Sequence, residues 1–564
     1  MNLFESLTAP ILDAFAELTA DDVAFVPPPK IEMGDIAMRA FDAAKKLRMP
    51  PAQIAARVAQ EVTFGPEVRE VSAAGPYVNF RLDRAAFAAR IVAAVRAEGA
   101  AYGSNHSGRG RRVLIEHTSI NPNASPHVGR ARCAMIGDTL VRLLRFEDYD
   151  VETHYYVNDM GRQIGLLVLV CDDIEHVTFD EILDRYVRAN NRAEHDPEFA
   201  EQGYALLAKM EERDPDTMAR FRAVTDLCLD GQLAVLGRLG VAFDIFDRES
   251  SYIQDPRIEE VLDALRAKEA LFTDEEQRLV VDLAKIGHER DEGRYFVLMR
   301  ANGSSMYGYR DLAYAIDKSA RGADVNLIVL GEDHKLYAEQ LERILGAANK
   351  AFAEAVYYSY ILLREGKMST RQGKVVLLAD FLNEAAARAL EKVREQCKDL
   401  DADEQQAIAE QVAVSAIRFA VLRISPNKNV IFDWESSLSF TGDTGPYVQY
   451  SCARINSILR KLGDTPEATP EAFPTETDAE WALVLKLAAF PEVVAGAVRQ
   501  RNGASIAQFA LETARLFTSF YHDCPVINAD SDSQRIARAQ LCDATRTVLQ
   551  NALGILGIAA PERM

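Results

Sequence analysis

No CxxC pair occurs in this 564-residue chain. Its seven cysteines are scattered and odd in number, and its nine histidines are equally dispersed. Neither a zinc site nor a disulfide framework is expected, and reduced thiols in a cytoplasmic protein fit better. Long apolar runs are also missing; none approaches the ~20 residues of a membrane span. The N-terminal MNLFESLTAPILDAF has an amphipathic helix pattern and lacks the basic region of a signal peptide. Positive charge is in deficit, with 64 Lys and Arg against 85 Asp and Glu, a net charge of −21. That argues against a generic nucleic-acid binder, DNA included. Any RNA partner must be met by local clusters such as Arg109/Arg111/Arg112 or Arg454/Arg460/Lys461. Such clusters are more often solvated faces. No internal repeat or low-complexity tract stands out.

What is present falls into three blocks. Residues 1–108 read as a small α+β unit, with helical stretches near 34–63, a strand-like run Val68 to Leu82, and a Gly/Ser-rich linker from Tyr102 to Gly110. Residues 109–380 alternate strands (RVLIEHT, DVETHYYV, NLIVLG, YSYILL) with helices, so a doubly wound parallel sheet is expected. A long charged helical insertion lies near 172–240. Residues 381–564 are almost purely helical. Such length requires several domains.

Two segments carry chemistry. In RVLIEHTSINPNASPHVGR (112–130), a β-branched strand is broken by Asn121-Pro122-Asn123. Ser125 is then placed for an N-cap, Pro126 for the first helical position, and an apolar stripe from Val128 to Leu144 follows at helical spacing. His127 and Gly129 would lie in the first turn, at the positive end of the dipole, which is an anion site. A capped helix on a sheet explains the same letters. The second segment, KMSTRQGK (367–374), is a Gly-flanked basic loop. Lys367, Arg371 and Lys374 could close over a triphosphate, or form a solvated turn. In this order and spacing, the pair resembles the two signature motifs of class I aminoacyl-tRNA synthetases.

The resemblance extends along the whole chain, to the arginyl-tRNA synthetase family. It is carried by GDIAMRAFDAAKKL (34–47), GPYVNF (75–80), YYVNDMGRQI (155–164), DRESSY (247–252), YGYRDLAYAIDK (307–318), GPYVQYSCARINSILRK (445–461), FYHDCP (520–525) and the terminal ERM. It implies a multidomain α/β protein: a Rossmann-type parallel-sheet catalytic domain, an N-terminal α+β domain recognising the tRNA D-loop corner, and a C-terminal all-α anticodon-binding domain. The implied activity joins L-arginine to tRNA(Arg) through an arginyl-adenylate. ATP is a substrate, Mg2+ accompanies it, and neither zinc nor a protein nucleophile is needed. A cytoplasmic monomer without membrane partners is expected.

Carried over residue by residue, the resemblance places the arginine pocket at Glu116, Ser119, Asn121, Glu249, Tyr307 and Asp311. Glu249 and Asp311 are the natural pair for a forked guanidinium. Without the resemblance, each carboxylate would be given to a surface salt bridge with Arg248 or Arg310. ATP falls to His127, Gly129, Gly331, His334, Lys367, Met368 and Ser369, with His127, Gly129, Arg130 and Lys367 as the catalytic set. tRNA falls to Tyr77 and Asn79 in the first domain, and to Tyr447, Tyr450, Arg454, Tyr521 and Met564 in the last. Tyr447 and Tyr450 read equally as helix-bundle core. The resemblance also implies that arginine activation waits for tRNA.

Two positions depart from the family pattern. Arg130 replaces the second histidine of the first motif, and Thr370 the second lysine of the other, where many arginine enzymes have Thr. Arg130 leaves open a non-catalytic tRNA-binding relative; Lys367, the acidic residues and the three-domain length argue against it. A cysteine or glutamine enzyme lacks a reason for Glu249 and Asp311. A simple nucleotidylyltransferase lacks a use for the helical C-terminal domain.

Overall fold

The computed structural model describes residues 5–26, 28, 30–123, 125–363, 376–463, 473 and 477–564. The N-terminal unit is a four-stranded antiparallel sheet in the order Ala24–Val26, Ile36–Arg39, Tyr77–Leu82, Val68–Ala74. Helices Phe41–Leu47 and Pro51–Glu61 accompany it, and Met38, Ile54, Val58, Val78 and Phe80 are fully buried in its core. The segment 34–47, which reads as one helix, is a strand followed by a helix. Ile36–Arg39 is paired on both sides, with residues 24–26 and 77–80, and that ladder overrides local helix preference. Helix Arg84–Glu98 follows, N-capped by Asp83, which accepts from the Ala86 N–H at 3.2 Å. It packs Phe87 edge-on against Trp481 of the helical C-terminal region.

The stretch expected to be a linker is held fast. Glu147 is fully buried and its carboxylate accepts from the Asn105 N–H and side-chain amide (3.0 and 3.1 Å) and from the Ser107 N–H and hydroxyl (3.1 and 2.6 Å). Tyr102 donates to the Leu487 carbonyl, Asn105 to that of Pro491, and Asn551 to those of Gly99 and Tyr102. At Gly103 (φ +105°) a Cβ would lie 2.3 Å from the Phe490 ring, so only glycine fits there. Residues 99–108 are therefore a joint shared by all three parts of the chain.

The central sheet has five parallel strands in the order Glu354–Tyr358, Val325–Gly331, Arg112–Glu116, Asp150–Val157, Ile245–Arg248. The chain enters in the middle, builds outward on one side, then crosses to the other. The switch falls between Arg112–Glu116 and Val325–Gly331. A crevice opens there at the carboxyl ends of the strands, where α/β sheets bind ligands. YSYILL, read as one strand, is split. The sheet strand ends at Tyr358, the Ser359 N–H bonds to the Pro426 carbonyl, and Ile361–Leu363 pairs in parallel with Val430–Phe432 instead. Helices Phe179–His195, Pro197–Glu211 and Pro215–Arg238 form the expected insertion. An antiparallel sheet, Leu271–Thr273, Leu279–Asp282 and Tyr295–Met299, had no signal in the strand pattern.

From Leu378 the regular elements among the described residues are helices apart from Val430–Phe432. One buried side chain ties this region to the sheet domain. Arg418, on helix Ala402–Leu422, donates to the Leu556 carbonyl (2.6 Å), the Leu239 carbonyl (2.7 Å) and the Asp138 carboxylate (2.6 Å). Gly557 (φ +67°) makes room, since a Cβ there would lie 2.4 Å from the guanidinium. No single described helix is long and apolar enough to cross a membrane.

Candidate active site

A cavity of about 660 Å³ fills the crevice. All six residues expected to meet arginine line it: Glu116, Ser119, Asn121, Glu249, Tyr307 and Asp311. Arg130, Gly331 and His334 line it too. Helix Tyr307–Ala320 contributes one face, since Tyr307, Asp311, Tyr314 and Lys318 follow at spacings of four, three and four.

The three carboxylates differ in their surroundings. Glu116 is paired with Lys318, both buried, and the Lys318 ammonium lies 4.3 Å from the centre of the Tyr314 ring. Glu249 accepts from Arg310 Nε at 2.7 Å, again with both side chains buried. Burial pushes the Glu249 carboxyl up to about 7 despite that arginine. Asp311 accepts from the Tyr337 hydroxyl at 2.5 Å and has no ion-pair partner among the described residues. Burial raises its pKa, against the pull of the Tyr337 bond. The expected equal pair of Glu249 and Asp311 is thus revised. Glu249 carries its own cation, as the salt-bridge reading foresaw, although the bridge is buried rather than on the surface. Asp311 is the uncompensated charge.

The neighbouring polar groups are interlocked. Asn158 donates to Ser119 Oγ (3.3 Å) and to Asn121 Oδ1 (2.9 Å), and the Ser119 hydroxyl donates to the Tyr156 carbonyl (2.8 Å). Buried Asp159 accepts from the Ser250 N–H (2.8 Å) and hydroxyl (2.7 Å), which fixes the turn that carries Glu249. Tyr156 stacks on Tyr314 at 4.5 Å, and burial holds its phenol far above the usual range. Sequence reading missed Tyr156, Lys318 and Tyr337. The 4-3-4 spacing along 307–318 was the available signal for Lys318, whereas Tyr337 sits on another helix.

At the phosphate end, helix Val128–Phe146 begins two residues later than expected. His127, not Ser125, is the N-cap, and it makes no side-chain capping bond. The reason is tertiary. The Val128 N–H donates to the Val376 carbonyl (3.1 Å), the Leu378 N–H donates to the Pro126 carbonyl (2.7 Å), and His127 bridges Leu377. Residues 126–127 are held extended by the returning chain at 376–378, and one orphan donor of the helix start is met there. His127 is exposed at the rim; partial desolvation and nearby Arg130 lower its pKa. His127 and Gly129 are not among the lining residues, but they begin the helix whose positive end faces this crevice. Arg132, one turn on and fully buried, donates to the carbonyls of Ser359, Tyr360 and Ser425. Lys367, Met368, Ser369, Arg371 and Lys374 lie outside the described residues.

The RNA candidates separate. Tyr77 is exposed beside exposed Phe41, their rings 6.0 Å apart, while Asn79 is buried in the same sheet. In the helical region, the Arg454 guanidinium lies 4.8 Å from the centre of the Tyr450 ring and 5.1 Å from that of Tyr521, and it donates to the Tyr450 hydroxyl. Tyr521 is 43% exposed. Tyr447 is half-buried, its hydroxyl bonded to Thr518 and the Ala514 carbonyl, so its ring belongs to the bundle packing. Met564 is half-buried against the same core. The seven cysteines are free and buried, and among the described residues no three His, Cys, Asp or Glu side chains group as metal ligands.

Comparison with known proteins covers the chain end to end. Residues 2–82 match the family model of the arginyl tRNA synthetase N-terminal domain, 91–434 that of the tRNA synthetases class I (R) catalytic domain, and 448–564 that of the DALR anticodon binding domain. The arginine–tRNA ligase of Methanothermobacter thermautotrophicus is 37% identical over 99% of this chain and 98% of its own. That of Methanococcoides burtonii is 36% identical over the full length of both. The structure of Thermus thermophilus arginyl-tRNA synthetase superposes over 100% of both chains with a TM-score of 0.82 at 27% identity. The Plasmodium falciparum arginyl-tRNA synthetase structure shares the fold, with a TM-score of 0.78 at 18% identity over 99% of this chain and 98% of its own.

Proposed function

Because the chain belongs to the arginyl-tRNA synthetase family, we propose that the crevice cavity is its arginine and ATP site, with Asp311 as the charge that selects the guanidinium. The protein is an arginine–tRNA ligase: it activates L-arginine with ATP and transfers it to the 3′-terminal adenosine of tRNA(Arg). Nothing supports the non-catalytic alternative that Arg130 raised. The observation that carries the site reading is the pairing of the cavity's three carboxylates. Glu116 and Glu249 are paired with Lys318 and Arg310, while Asp311 has no ion-pair partner among the described residues. The other two lining arginines, Arg130 and Arg300, pair with none of the three, so Asp311 is the carboxylate open to a positive substrate group.

The reaction follows from positions. The guanidinium lies toward Asp311, between the Tyr307 face and the Glu249 turn, and Ser119 and Asn121 orient the substrate's backbone groups. The arginine carboxylate then attacks the α-phosphorus of ATP and pyrophosphate leaves. Helix Val128–Phe146, Arg130, Gly331 and His334 border the nucleotide end, and Lys367 meets the departing pyrophosphate. Positioning and neutralising phosphate charge supply the rate, so no protein nucleophile is required. Magnesium accompanying the nucleotide would supply charge neutralisation on its phosphates. The pocket carboxylates are already engaged by Lys318, Arg310 and Tyr337 and offer it no cage. Tyr77 with Phe41 takes the tRNA corner, and Tyr450, Arg454 and Tyr521 take anticodon bases by stacking. Residues 1–108, 109–380 and 381–564 divide this work. Every described lining residue comes from this one chain, which suits a monomer, and buried free thiols suit the reducing cytoplasm. DNA and membranes have no part in the reaction.

Charging assays with each amino acid test the assignment: arginine alone should be attached, and failure with arginine overturns it. In Lys367→Ala, arginine-dependent pyrophosphate exchange with tRNA present should slow about twentyfold, roughly 1.8 kcal/mol of one charge-assisted contact. The tRNA Michaelis constant should stay near wild type. Wild-type exchange would remove Lys367 from the reaction.

A further inference from the structure

We propose that Tyr337 is a positioning residue for arginine: its hydroxyl holds one oxygen of Asp311 so that the other oxygen meets the guanidinium. The inference rests on the cavity being the arginine site. The Tyr337 hydroxyl is 2.5 Å from Asp311 Oδ2. A phenol has one proton to donate and a carboxylate has two oxygens, so Oδ1 is left for the substrate.

The ring itself is fixed. It stacks on Phe296 (centroids 5.8 Å apart, planes 25° apart) and contacts Tyr307 (5.4 Å, 49°). Gly308 permits this approach of helix Tyr307–Ala320. A Cβ there would fall 2.5 Å from the Phe296 ring and 3.6 Å from the Tyr337 hydroxyl. Tyr337 therefore joins two pocket walls. It braces Asp311 and presses on Tyr307, the exposed ring one turn before it.

The groups facing Asp311 come from every neighbouring element: Glu116 from the central strand, Tyr156 from the next, Glu249 from its turn, Arg310 on the same helix, and Tyr337 across the cavity. Arg310 is committed to Glu249, and the two glutamates repel. The Tyr156 hydroxyl also favours the ionised carboxylate, and Tyr337 makes the short bond to it and exerts the larger pull. Its loss makes Asp311 easier to protonate.

Tyr337→Phe keeps the ring and removes only the hydroxyl. The arginine Michaelis constant should rise about tenfold. The ATP Michaelis constant, kcat and thermal midpoint should hold within about twofold or a degree or two, because the ring packing survives. In kcat/KM for arginine, the acid limb should move to higher pH. A purely packing role would move neither the arginine constant nor that limb. If both stay at wild type while Asp311→Asn still weakens arginine, Tyr337 positions nothing and the site reading stands. If Asp311→Asn also leaves arginine binding unchanged, the site reading falls and this inference with it.

Discussion

Asp311→Asn is expected to raise the Michaelis constant for arginine about 30- to 150-fold, roughly 2–3 kcal/mol of a charge-assisted interaction. The ATP constant should change little. Asparagine keeps the shape and an acceptor oxygen but removes the charge. At the guanidinium end, Lys318 then balances Glu116 and Arg310 balances Glu249, with nothing left for the substrate cation. The sign of the pH dependence follows from the same site. Burial raises the proton affinity of both Asp311 and Glu249, the latter to about 7. A bound guanidinium favours their ionised forms, so arginine uptake expels protons and weakens as pH falls through that region. In Asp311→Asn this dependence should shrink. Steady-state kinetics between pH 6 and 8.5, varying arginine and ATP in turn, would read it. An unchanged arginine constant removes Asp311 from the pocket.

Arg418→Met should destabilise the enzyme by about 3–5 kcal/mol, the cost of breaking a buried pair from one side. Asp138 would keep only Arg142 as a partner at a buried position, and the carbonyls of Leu239 and Leu556 would lose their donor. The damage should appear where the helical region meets the sheet domain. Differential scanning calorimetry should show a lower and broader transition, because domains that unfold together begin to part. The double variant Arg418→Met with Asp138→Leu should recover part of the loss, since the buried carboxylate goes together with its buried partner and only the more exposed Arg142 loses an ion pair. A wild-type transition in the single variant would mean the pair contributes little to holding the domains.

Features encoded locally were legible in the sequence, and those decided by distant partners were not. The alternation of strands and helices and the strand at 112–116 are local patterns. So is the crevice set from Glu116 to Asp311, once the family resemblance named it. The helix start at 125–128 was misplaced because residues 376–378 pair with it, and no property of Ser125 or Pro126 reports that pairing. Ile36–Arg39 looked helical because its flanking strands lie 12 and 41 residues away. Tyr102–Gly110 had a linker's composition, yet buried Glu147 claims its donors. Glu249 and Asp311 were legible as acids. That one is already neutralised by Arg310 and the other braced by Tyr337 is a matter of side-chain direction across three elements, which spacing alone does not encode.

The joint at residues 99–108 gives the protein the stiffness of a measuring tool. If, as proposed, Tyr77 meets the elbow of the RNA and Tyr450 its far arm, the two contacts act as jaws of one caliper. Glu147, Leu487 and Asn551 grip the strip between them, so neither jaw swings alone. An RNA with suitable bases but the wrong elbow width can seat one jaw only. Rejection of misshapen RNA then falls to the frame itself, without a further set of base-reading groups.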